Sequence, residues 1–363
     1  MHVARLRLRS FRNYTRLDVD FEPGVHLLIG SNAQGKTNLL EAIYLLATLR
    51  SFRGAPTSEL VQYGQNGFFV GAEIVSVSHY SVRYFWSREQ RRLTVNGEVI
   101  RRASDYFGIL RAVVFCTEDI FLVKGPAGIR RRFLDLLLAQ THPEYLVYRQ
   151  RYAEAVRARN ALLRSEQLDP TALAGFTEEM IRYGSRILQA RAELVKTLRP
   201  LIQRAYAGLS EAEKVDLAYR PGVKEDFRSE LEAALERDRR DGVTHVGPHR
   251  DDVLLLLDGK PAARFGSEGQ KRSLSIALRI AQVEYLTEVH GVPPVLLLDD
   301  IMGELDPNRR TGIGRLLDRC LQKRGQAFLT TTEDRWSNIL AEKAIRWRVK
   351  EGTLLRAELD QTL

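Results

Sequence analysis

The chain has 363 residues, 44% of them hydrophobic and 28% charged, with a formal charge of +9. That balance excludes a disordered or collagen-like chain and allows two or three lobes around a sizeable core. The positive excess suits a polyanionic partner, and no apolar run approaches the ~20 residues of a membrane span, so no membrane partner is expected.

In chain order, "HVARLRLRSF" (2–11) and "TRLDVDF" (15–21) read as two strands joined by a turn at Arg12-Asn13-Tyr14. Arg5, Arg7 and Arg9 alternate with Leu6 and Leu8, which is strand period and not the helical period of a transit peptide. Pro23-Gly24 turns the chain into "VHLLI", a continuous apolar strand of the buried kind. A helix is expected from about Lys36 to Thr48. The pattern from Phe68 to Ile100 is β, with Asn96-Gly97 as a hairpin signal. "LRAVVF" (110–115) is a further buried strand.

From about Phe121 to Arg240 strand signal is scarce and three long stretches carry helical periodicity. Residues 121–240 are therefore expected as an inserted helical lobe, with 1–120 and 241–363 forming an α/β lobe. Strand signal resumes at "DDVLLLLDGKPAARF" (251–265), a hairpin around Asp258-Gly259. A helix follows Ser267, then the strand "VLLL" (295–298) and the strand "QAFLTTT" (326–332). Cys116 and Cys320 are too few for a disulfide framework and read as small buried hydrophobes in a reducing cytosol. A cytoplasmic protein is expected.

"GSNAQGKT", residues Gly30, Ser31, Asn32, Ala33, Gln34, Gly35, Lys36 and Thr37, satisfies G-x-x-x-x-G-K-[ST] between a buried strand and a helix. Glycines let such a loop curl until its N–H groups face phosphate oxygens. Lys36 can neutralise the β- and γ-phosphates, and the Thr37 hydroxyl can ligate Mg²⁺. ATP and Mg²⁺ are the expected cofactors. Asp299 and Asp300 end an apolar strand, where the first can hold the magnesium shell and the second can polarise an attacking water. An acidic turn after any core strand looks the same, so the pair gains meaning from the phosphate loop upstream. Ser267 and Gln270 make a capping box at a helix start.

"SEGQ" (267–270) also resembles the signature loop of ABC-type ATPases. That resemblance implies that Ser267, Gly269 and Gln270 meet the γ-phosphate held by a second subunit. Glu268 stands where a glycine is usual and should point away from phosphate. "GELDPNRR" looks like the D-loop of the same class, with Asp306 as its aspartate, and Thr331 or Thr332 occupies the region of its switch histidine. Together with "SFRNY", "GPAGIRRRFLD", "RNALLR", "THVGPHRDD" and "LLLDDIMGELDPNRR", these stretches resemble the RecF family of bacterial recombination mediators over nearly the whole chain. The resemblance implies an α/β fold: an ABC-type ATPase head related to SMC proteins, with mixed β-sheets around the P-loop core. It implies slow, DNA-stimulated ATP hydrolysis by an ATP-dependent homodimer on duplex DNA or a single/double-strand junction. It further implies work with RecO and RecR to place RecA at gaps, and a role in replication and the SOS response.

Other residues keep two readings. Arg5, Arg7 and Arg9 are DNA contacts or the solvated face of a strand, and Arg88, Arg91, Arg92, Arg101 and Arg102 bracket a hairpin as a second basic patch. Arg130, Arg131 and Arg132 lie on one helix and point in different directions. Gly247-Pro248 between His245 and His249 favours a turn over a zinc site. No stacking platform with basic interleaving is legible along the chain. A soluble transporter cassette is the alternative function. A P-loop kinase is a third, disfavoured because it has no use for a signature acting across subunits. DNA-dependent ATP hydrolysis separates the three.

Overall fold

A computed structural model describes residues 1–210, 213–301, 307–332 and 344–357. The chain opens with β1 (His2–Phe11), β2 (Tyr14–Asp20), β3 (Gly24–Ile29) and α1 (Lys36–Thr48). Next come β4 (Gly67–Val75), β5 (His79–Ser87), β6 (Arg91–Val95), β7 (Glu98–Val99) and β8 (Ala112–Phe115). Helices α2 (Phe121–Lys124), α3 (Ala127–Thr141), α4 (Pro143–Leu163) and α5 (Pro170–Ala207) follow. Then β9 (Val215–Arg220), α6 (Phe227–Ala233) and α7 (Leu235–Asp241) lead to β10 (Asp252–Leu257), β11 (Lys260–Pro261) and α8 (Ala262–Phe265). The last described elements are α9 (Glu268–His290), β12 (Val295–Leu298), α10 (Pro307–Gln322), β13 (Gln326–Thr331), β14 (Ala344–Lys350) and β15 (Thr353–Arg356).

The apolar strands sort by burial. β3, β8, β12 and β13 are buried on both faces and belong to one sheet of order β15-β14-β3-β13-β12-β8. Its strands are parallel except for the β14–β15 pair. Such strands need cover on two faces, and α1 packs against β8 and β13. The alternating strands instead form an antiparallel sheet, β2-β1-β4-β5-β6-β7, with Leu6, Leu8, Val70 and Tyr84 buried on one face.

Two compact units emerge. The first comprises Met1–Asp119, Ala205–Glu211 and Ile276–Leu363; the second comprises Ile120–Arg204 and Ala212–Ser275. The second unit thus runs past the expected end at 240. The reason is strand pairing: β10 pairs with β9 and β11, so residues 252–261 stay with the segment that precedes them. That lobe accordingly holds a three-stranded sheet, β11-β10-β9, where only helices were expected. The hairpin at Asp258-Gly259 is present, but its return strand stops at Pro261 and "AARF" is the short helix α8.

Buried ion pairs hold the second unit together. Arg159 is 1% exposed and donates to Asp238 and to the Thr244 hydroxyl, each at 2.7 Å. Asn160 accepts from the Thr244 amide and hydroxyl. Arg191 reaches Asp135 at 2.7 Å and Asp251 at 2.6 Å. The stretches "RNALLR", "RRRFLD" and "THVGPHRDD" therefore meet as one polar core. Removing one partner of such a pair leaves a buried charge unanswered, which destabilises by roughly 3–5 kcal/mol.

Candidate nucleotide site

The parallel sheet brings three strand ends side by side. Leu298 is in register with Leu329, and Thr331 with Ile29, so the segments after β3, β12 and β13 converge at their carboxyl ends. The phosphate loop runs from Gly30 to Thr37 between β3 and α1. Ser31, Asn32 and Ala33 are exposed, and Ala33 has the left-handed φ of 64° that the curl requires. Gly35 has φ 115°, and a Cβ there would lie 2.7 Å from the Asn13 amide. No side chain caps α1, so its first-turn N–H groups are left for an anion.

Lys36 is buried at the start of α1 and donates to the Gly30 carbonyl at 2.6 Å and the Ser31 carbonyl at 2.9 Å. Burial lowers its pKa, while Asp300 and then Asp299 oppose the shift. The Thr37 hydroxyl donates to Asp299 Oδ1 at 2.8 Å, across 262 residues of chain. Burial raises the Asp299 pKa, and the Thr37 and Thr330 hydroxyls resist it. Asp300 takes a left-handed φ of 47°, and its amide donates to Thr330 Oγ1 at 2.8 Å. Two hard oxygen donors on Thr37 and Asp299 form the donor set that Mg²⁺ prefers.

Five contributors were not legible in the sequence. Thr330 bonds both the Asp299 carboxylate, at 3.0 Å, and the Asp300 amide. It belongs to the same threonine run as Thr331 and Thr332, but only the register of β13 against β12 selects it. Asn13 donates to the Gln34 carbonyl at 2.9 Å, and Tyr14 donates to the Gly35 carbonyl at 3.0 Å. On the other side, the Glu351 and Gly352 amides donate to Gln34 at 2.8 and 3.1 Å. Two hairpin turns thus grip the phosphate loop.

The signature stretch belongs to the second unit. The capping box is formed: the Ser267 amide donates to Gln270 Oε1 at 2.7 Å, and the Gln270 amide donates to Ser267 Oγ at 3.2 Å. Gln270 also donates to Glu213 at 2.6 Å. Glu268 pairs with Lys124 and Lys271, each at 3.2 Å, and these lysines hold its carboxyl below the usual range. Gly269 lies in the first turn of α9. Asp306 falls outside the described residues.

The basic residues divide. Arg5 forms a two-pronged contact with Asp18 at 2.6 and 2.9 Å, and Arg7 reaches Glu73 at 3.1 Å. Arg9 is exposed. Arg130 pairs with Asp252 at 2.7 Å, and Arg131 donates to the Asp251 carbonyl. Arg91 lies over the Tyr84 ring. His245 meets Asp238, and His249 meets Tyr152.

Residues 2–354 match the RecF/RecN/SMC N-terminal domain. The chain is 37% identical to the DNA replication and repair protein RecF of Halalkalibacterium halodurans, covering 98% of this chain and 99% of that one. It is 40% identical to the protein of the same name from Anaeromyxobacter, over 92% and 93% of the two chains. Among solved structures it resembles the recombination mediator protein RecF bound to ATP, with a TM-score of 0.91, 30% identity and 98% of each chain covered. The Smc head domain of Pyrococcus furiosus shares the fold at 15% identity and a TM-score of 0.57. A phosphate loop facing an aspartate-ended parallel strand, in a chain matched end to end by these relatives, makes this protein a member of the RecF family, built on an ABC-type ATPase head.

Proposed function

We propose that this chain is an ATP-hydrolysing, DNA-binding mediator of recombinational repair. The 2.8 Å contact between Thr37 and Asp299 carries the reading, because it sets the two expected magnesium ligands together beside Lys36. Residues Gly30–Thr37 cradle the phosphates of ATP, and Lys36 exchanges its two loop carbonyls for β- and γ-phosphate oxygens. Thr37 and Asp299 would hold Mg²⁺, which supplies charge neutralisation when bound. Asp300, held by Thr330, accepts the proton of the attacking water. Ser267, Gly269 and Gln270, with Asp306, complete the site from a second copy of the chain.

On this reading the nucleotide-bound homodimer holds DNA, duplex or at a single/double-strand junction, through the basic face that carries Arg9. Arg5 and Arg7 join only by exchanging their carboxylates for phosphate. DNA stimulates a slow hydrolysis that times release. RecO and RecR then receive the bound gap for loading of RecA, in the cytoplasm, in replication and the SOS response. RecFOR appears in the name of the structural relatives, which supports those partners. No observation favours a transporter cassette, and among the described residues no helix is long and apolar enough to cross a membrane.

Light scattering with and without ATP tests the reading. The wild-type chain should dimerise with ATP, Lys36→Met should not, and Ser267→Arg should bind ATP as a monomer. ATP-dependent dimerisation by Ser267→Arg at the wild-type level would reduce Ser267 to a helix cap.

A further inference from the structure

Strand pairing in the antiparallel sheet builds a row that no stretch of sequence displays. Arg16 of β2 faces Arg9 of β1, and Arg9 faces Phe69 of β4. Phe69 faces Phe85 of β5, and Phe85 faces Arg92 of β6. Side chains opposite one another across paired strands share a face, so these five share one. At a strand spacing of 4.7–4.9 Å the row is about 19 Å long. Arg83 flanks it, paired with Gly71 in the adjoining row.

The face is open. Arg9, Arg16, Arg83 and Arg92 are exposed, and Phe85 is 37% exposed. Phe69 is half-buried and leans over Gly71, where a Cβ would meet its ring at 2.8 Å. Among the described residues, these four arginine side chains make no hydrogen bond or ion pair, and neither phenylalanine meets another ring. Asp18, Asp20 and Glu73 lie on the same face, where Arg5 reaches Asp18 and Asp20 and Arg7 reaches Asp18 and Glu73, and Arg16 lies close enough to Asp18 to feel its charge. The acids therefore neutralise one end of the sheet and leave the aromatic end basic.

We infer that this row is a binding platform for single-stranded DNA, with unpaired bases stacked on Phe69 and Phe85 and phosphates on the flanking arginines. This rests on the DNA-binding reading above and specifies which strand form the face takes. Four arginines call for a polyanion, and a second copy of the same basic face would be repelled. Duplex DNA uses the arginines but gives the rings nothing, because its base faces are covered by stacking. A single strand uses both, and base–aromatic stacking tolerates any sequence.

Fluorescence anisotropy of the full chain tests the platform, using a labelled single strand, the same sequence as duplex, and a gapped duplex. Phe85→Ala should weaken single-strand and gap binding about tenfold, the order expected of one stack, and leave duplex affinity within about twofold. Arg9→Glu should weaken binding to single strand and duplex alike. Phe85→Trp keeps an aromatic ring, and its emission should be quenched by the single strand and not by the duplex. An equal loss on single strand and duplex, or no loss on either, overturns the stacking platform while duplex binding by the wild-type chain leaves the DNA reading standing. Failure of the wild-type chain to bind any of the three at low salt would remove both. Should Phe85→Ala not fold, the absence of Phe85→Trp quenching by itself overturns the platform.

Discussion

Asp300 is exposed at a left-handed backbone position, while Asp299 next to it is half-buried against Thr37. Adjacent carboxylates of one type therefore sit in different surroundings, which suits the different roles proposed for them, ligand and base. Asp300→Asn should preserve ATP binding and slow single-turnover hydrolysis about a hundredfold, within the range for loss of a general base. Wild-type rates would transfer the base role elsewhere. Glu268 presents a second residue-scale question, since a carboxylate near a partner's γ-phosphate would repel it. Lys124 and Lys271 answer it by pairing with Glu268. Changing Lys124 and Lys271 together to Gln should raise the ATP concentration needed for dimerisation, and adding Glu268→Gly should restore it. No rescue by the glycine would mean that the lysines act otherwise than through Glu268.

At the scale of elements, β3 carries a buried histidine through the middle of the parallel sheet. The Trp347 indole N–H of β14 donates to His26 Nδ1 at 3.0 Å, so Nε2 bears the proton and donates to the Glu22 carbonyl at 2.8 Å. Burial depresses the His26 pKa from 6.5 to about 4. The unfolded chain then binds more protons between those values, so stability is full above pH 6.5 and falls as pH drops towards 4. The loss attributable to His26 is roughly 3 kcal/mol over that window. Urea unfolding at pH 7 and pH 4 should show this loss in the wild-type chain and a smaller one in His26→Gln. An identical acid loss in both chains would assign the effect to other groups. Hairpin turns matter at this scale too, since Asn13, Tyr14, Glu351 and Gly352 hold the phosphate loop by hydrogen bonds to Gln34 and Gly35.

For the whole molecule, a charge of +9 says only that polyanions are welcome. The distribution decides more. The second unit turns Arg130, Arg159 and Arg191 inward onto acids, and the antiparallel sheet leaves Arg9, Arg16, Arg83 and Arg92 outward. Four phosphate contacts predict that log affinity for a single strand falls with log salt at a slope of about 3, and Arg9→Glu should lower that slope by about 0.7. A salt titration of anisotropy measures both. A slope near zero would move the contact away from this face.

What the sequence determined by itself are the features carried by neighbours in the chain. The phosphate loop is one contiguous stretch with fixed spacing, so Gly30–Thr37 were assigned by residue. The strands β3, β8 and β12 were visible as apolar runs, and the capping box of α9 as Ser267 and Gln270 three apart. Tertiary structure alone decided what depends on pairing. Arg5 and Arg7 differ from Arg9 only through acids on β2 and β4, one of them 66 residues away. Thr330 was chosen from three threonines by the register of β13 with β12. Residues 252–261 went with the inserted unit because β10 found β9. Phe69 and Phe85 joined Arg9, Arg16 and Arg92 in one row because a sheet sets side by side residues that the chain keeps far apart. Local periodicity records which face a residue takes, and it holds no information about which strand will lie alongside.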